Sequence, residues 1–161
     1  MTTVSHAAPL RSTKVYRAIG WGGFSVGVLD ITAAFVTGGL RGISPMRVLQ
    51  GIASGLLGAN SYQGGFATAI LGLLLHFVIA TGAAAVYYLT SRKLKSLVEQ
   101  PLACGFLYGI AVFWFMNLLI LPLSAFSHKI SFTLARVTTG LFVHMFCVGL
   151  PIALIVRRFS K

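Results

Sequence analysis

The chain has 161 residues, 57% hydrophobic and only 9% charged, with thirteen Lys and Arg against two acidic residues for a net charge of +11. A soluble domain carries about a quarter charged residues, so this chain lacks the charge to cover a globule in water. A soluble enzyme, a disordered tail and a secreted disulfide scaffold are excluded, and an integral membrane protein remains. Basic chains that bind nucleic acid set their cations on a polar face beside stacking aromatics. Here the twelve Phe lie inside apolar stretches and the cations sit at their ends, so no nucleic-acid partner is expected.

A polar tail over residues 1–17 precedes four apolar segments, roughly 18–40, 64–90, 102–123 and 134–156. A span needs about 20 residues at 1.5 Å rise each, and all four qualify. The expected fold is all-α: an integral membrane four-helix bundle forming a single domain over residues 18–161. Read instead as a cleaved signal, residues 1–40 would have too long an apolar region, interrupted by Asp30. Arg11, Lys14, Arg17, Arg92, Lys93, Lys95, Arg157, Arg158 and Lys161 would share one side, leaving Arg41, Arg47, Lys129 and Arg136 on the other. The positive-inside rule then puts both termini in the cytoplasm.

The 41–63 connector carries a helix of its own. Ser44-Pro45 reads as an N-cap followed by proline at the first helical position. Met46, Leu49, Ile52, Ala53, Leu56 and Leu57 recur at helical spacing up to Gly58. Too short to span, this helix is expected to lie in the outer interface or dip back into the protein. Arg47 and Gln50 would then face headgroups or water. Short connectors favour antiparallel neighbours for spans two and three, and for three and four.

Each span sets a polar side chain near the midplane: Asp30, His76, Asn117 and His144. Such groups are expensive in hydrocarbon and face the bundle interior, which makes these four the candidate site. Stripes of small residues surround them: Gly23, Gly27, Ala34 and Gly38 with Asp30, and Ala69, Gly72 and Ala80 with His76. On span four the stripe runs Arg136, Gly140, His144, Cys147, Pro151, while Asn117 shares its face with Ile110, Phe113 and Trp114. Pro151 and Pro122 would free the carbonyls of Cys147 and Leu118 and kink their helices.

Three uses suit the polar set. Hydrogen bonds between helices are one, worth under a kilocalorie to about 2 kcal/mol each. A proton relay or solute site, with Asp30 bonded to a histidine, is a second. A b-type haem held by His76 and His144 on facing helices is a third; otherwise no cofactor and no metal is expected. Cys104 and Cys147 fall within spans without metal-ligand or disulfide spacing. No GxSxG, Walker loop, HExxH or carboxylate pair is present, so no enzyme activity is expected.

The stretches GISPMRVLQGIASGLLG (42–58), LHFVIA (75–80), MNLLILPLSAF (116–126) and HMFCVGLPIALIVRR (144–158) resemble a group of short, four-span bacterial inner-membrane proteins without an assigned function. The resemblance implies a bacterial plasma-membrane location and a four-helix architecture, and no activity or cofactor. With no catalytic motif and an aromatic run at Phe113, Trp114 and Phe115, the leading expectation is an accessory or structural subunit packed against other membrane subunits. A small transporter or proton pathway and a haem-binding electron carrier are the alternatives.

Overall fold

The computed structural model describes residues 9–126 and 131–160, and every regular element among them is helical. Helix α1 runs Pro9–Gly39, α2 Pro45–Leu57, α3 Gly65–Ser91 and the single turn α4 Ser96–Glu99. Helices α5 (Pro101–Leu123) and α6 (Leu134–Ser160) complete the chain. Four of these, α1 from Thr13, α3, α5 and α6, are long and apolar enough to cross a membrane. The chain is therefore a multi-pass membrane bundle, as composition required. Helix α1 starts earlier than expected, so residues 9–17 of the polar tail are helical; the rest of that tail lies outside the described residues.

Small residues decide which helices touch. A Cβ on Gly23 of α1 would strike Thr81 of α3, and one on Gly27 would strike the Phe77 ring. At the α5–α6 crossing, a Cβ on Gly149 would strike the Gly105 carbonyl and the Gly109 backbone, and one on Gly109 the His144 carbonyl. Close backbone approach of this kind is what associates helices in lipid, where apolar burial supplies no drive. Helix α1 thus lies between α3 and α6, and α6 between α1 and α5. The expected pairing of spans two and three is corrected. Helices α3 and α5 touch chiefly where the Tyr108 hydroxyl donates to the Ala83 carbonyl at 2.7 Å and the Tyr87 and Tyr108 rings meet edge-on. Their small residues are committed elsewhere, those of α3 to α1 and α2 and those of α5 to α6.

One end of the bundle gathers the start of α1, the α4 connector and the end of α6. Ala18, Tyr87, Tyr88, Ile152 and Val156 form its core. Arg17 lies over the Phe159 ring at 5.8 Å, and the Tyr87 hydroxyl donates to the Leu97 carbonyl at 2.9 Å. This is the terminal end; α2 closes the other.

Helix α2 starts and stops as its sequence indicates. The Ser44 hydroxyl accepts from the Arg47 N–H at 3.4 Å, Pro45 takes the first turn, and Gly58 leaves the helix at φ +60°. Its apolar side is sunk into the bundle: a Cβ on Gly72 of α3 would strike the Leu49 carbonyl. Gly72 lies seven residues along α3 from Gly65, about 10 Å at helical rise. Gln50, expected to face headgroups or water, is instead 2% exposed, and its Nε2 donates to the Gly65 carbonyl at 3.1 Å. A buried amide needs a partner, and the first turn of α3 offers one.

Both spans that carry an internal proline hold a π turn just before it, Met116–Ile120 in α5 and His144–Gly149 in α6. The Leu121 N–H donates to the Met116 carbonyl and the Leu150 N–H to the Met145 carbonyl, a step of five residues. Pro122 and Pro151 follow directly and have no N–H to give. A π turn takes in one extra residue, which moves the inward face along by one. The buried face of α6 beyond His144 is therefore Val148, Ile152 and Val156, and the expected Cys147 and Pro151 are only half-buried.

Candidate functional site

Asp30 from α1, His76 from α3 and His144 from α6 line one cavity of about 440 Å³. Gly27 sets the approach of α1 to α3 and meets His76 itself, and Asp30 follows one turn further along the cavity wall. Gly109 sets the approach of α5 to α6 at His144 itself. Apart from Ser124 the remaining side chains are apolar, among them Ile31, Ile79 and Val112, and Val48, Ile52 and Leu56 of α2 roof the cavity.

The two imidazoles are held differently. His76 is 8% exposed, and its Nε2 lies 2.9 Å from the Gly27 carbonyl. A carbonyl only accepts, so Nε2 carries a proton and donates it to Gly27, leaving Nδ1 as the nitrogen turned away from that bond. His144 has Nδ1 2.9 Å from the Gly140 carbonyl one turn back, so Nδ1 is its donor and Nε2 is the nitrogen without that bond. Phe77 and Phe113 meet the two rings edge-on at 5.8 and 5.4 Å and limit their rotation. Asp30 bonds neither histidine, where the relay alternative has it bonded to one; the Gly27 and Gly140 carbonyls are the partners of the two rings. Its carboxylate has no hydrogen bond or ion pair among the described residues and lies within electrostatic range of Cys147.

Asn117 stands apart from the other three. Its Nδ2 donates to the Phe113 carbonyl at 2.8 Å, and it lines a second cavity of about 980 Å³ at the α2 end. Arg47, Arg136 and Tyr62 share that vestibule, which meets the central cavity at Val48 and Leu121. Sequence reasoning used the two arginines for topology, set Arg47 toward headgroups or water and put Arg136 on the stripe of span four, without bringing them together; the signal available was cations in the outer connectors with no acidic residue near. A third hollow of about 450 Å³, between α3 and α5, is almost wholly apolar and meets the central cavity at Ile79, Ala83, Val112, Met116 and Ile120.

Phe113 is 6% exposed and packs on Gly140 and His144, so Phe113, Trp114 and Phe115 do not form one external face. The Nε2 of His76 is engaged with the Gly27 carbonyl, so haem ligation through that atom would require breaking this bond. Among the described residues no group of three or more His, Cys, Asp or Glu is placed to hold a metal ion. No family model, curated protein or solved structure matches the chain.

Proposed function

We propose that this multi-pass protein is a small proton or solute pathway of the bacterial plasma membrane, with Asp30, His76 and His144 as its polar stations. One observation carries it: three ionisable side chains from three different spans converge on a single cavity. Intramembrane ionisable groups are retained where protons or substrates pass. Asp30 has no hydrogen bond or ion pair among the described residues, and each imidazole has one nitrogen that does not bond a backbone carbonyl, so the cavity holds three groups able to exchange protons. The π turn in α6 begins at His144 itself, a common feature of functional helices. The basic terminal end supports cytoplasmic termini, and the resemblance to four-span bacterial proteins supports the location.

The test is proton flux in proteoliposomes, read with an internal pH dye under an imposed gradient. Wild type is expected to conduct, and Asp30→Asn to lose flux at unchanged helicity. A silent wild type, or an Asp30→Asn variant that conducts equally, refutes the proton pathway. The accessory-subunit reading keeps Trp114 and Phe115 as support, because both face outward. It predicts co-elution with other chains after gentle extraction, and a protein that elutes alone counts against it.

A further inference from the structure

The vestibule at the α2 end holds two guanidinium groups with no acidic side chain beside them among the described residues. Arg47 of α2 and Arg136 of α6 line the same cavity of about 980 Å³. The chain has two acidic residues: Asp30 lines the central cavity, and Glu99 sits on α4 at the terminal end. Neither arginine has an ion pair among the described residues, and the ring of Tyr62 lies 5.3 Å from the Arg47 guanidinium. Facing them are the amide-bearing Asn117 and the hydroxyls of Ser44 and Ser131, while Phe126 and Phe132 supply an apolar wall.

Two like charges around one hollow repel, and the apolar wall weakens the screening that water would provide. An anion between them removes that repulsion. Each guanidinium presents N–H donors in a planar fork that matches the oxygens of a phosphate or carboxylate. We propose that the vestibule formed by Arg47, Arg136 and Asn117 is a binding site for an oxyanion group, phosphate or carboxylate, carried by a lipid headgroup or a small soluble anion. The site goes beyond the proton pathway, since it binds whether or not anything crosses the membrane.

The test is thermal unfolding of the full chain in phosphatidylcholine nanodiscs, in two arms. The first titrates inorganic phosphate against chloride at equal ionic strength; the second replaces part of the lipid by phosphatidylglycerol. Wild type and the terminal-end control Arg92→Gln are expected to be stabilised in at least one arm. Arg47→Gln and Arg136→Gln, both at exposed positions, are each expected to need about tenfold more phosphate, or to lose the lipid response. A response to phosphate alone identifies a soluble anion, and a response to phosphatidylglycerol alone a headgroup. No stabilisation of wild type in either arm overturns the site, as do arginine variants that respond like wild type.

Discussion

The three-glycine crossing of α5 and α6 makes the sharpest stability prediction. In Gly149→Ala the new Cβ meets only backbone, the Gly105 carbonyl and Gly109 with its Cα at 2.8 Å. Carbon atoms rest about 3.5–4.0 Å apart, so the helices must separate by roughly an ångström, and no side chain can yield instead. Overpacking of this kind costs about 1–3 kcal/mol, against about 0.4–1 kcal/mol returned by restricting the unfolded chain. Gly20→Ala on α1 meets nothing within 4 Å, so it keeps the gain alone. That gain is common to both variants and cancels, so they should differ by the overpacking cost, about 1–3 kcal/mol. At about 2–4 °C per kcal/mol for a chain of this size, their midpoints should be several degrees apart, Gly149→Ala lower. Thermal unfolding in one detergent, followed by near-UV circular dichroism, measures this. A Gly149→Ala protein that melts at or above Gly20→Ala would refute backbone contact as what holds α5 to α6.

Two further substitutions probe the other junctions. Tyr108→Phe removes the bond to the Ala83 carbonyl and should lower stability by about 0.6 kcal/mol, the usual worth of such a bond in a membrane bundle; an unchanged midpoint means the hydroxyl does not hold α3 to α5. Gln50→Leu keeps the bulk but loses the bond to Gly65, worth about 0.5–1.5 kcal/mol. Amide exchange in α2 should accelerate several-fold, and equal exchange would show that apolar contact alone holds α2 down.

Local pattern was enough for the spans, because length and hydropathy are properties of contiguous residues and every helix must satisfy its own backbone in lipid. The start of α2 at Ser44-Pro45 and its stop at Gly58 were equally local, as was the inward stripe of Ala69, Gly72, His76 and Ala80 on α3. What the pattern could not contain was partnership between helices far apart in sequence. Gly105 and Gly109 choose α6 only because Gly149 faces them, and that pairing is what parts α5 from α3. The π turns before Pro122 and Pro151 shift a face by one residue, so a stripe counted at ordinary helical spacing drifts off the buried side beyond His144. Four polar residues at similar depth became three around one cavity and one in a vestibule, a division set by how the helices are arranged about the bundle axis. Composition and periodicity thus determined that the chain spans a membrane four times and which side chains are costly there. Packing between distant backbones alone decided that Asp30, His76 and His144 share a cavity, and that Arg47 and Arg136 share another.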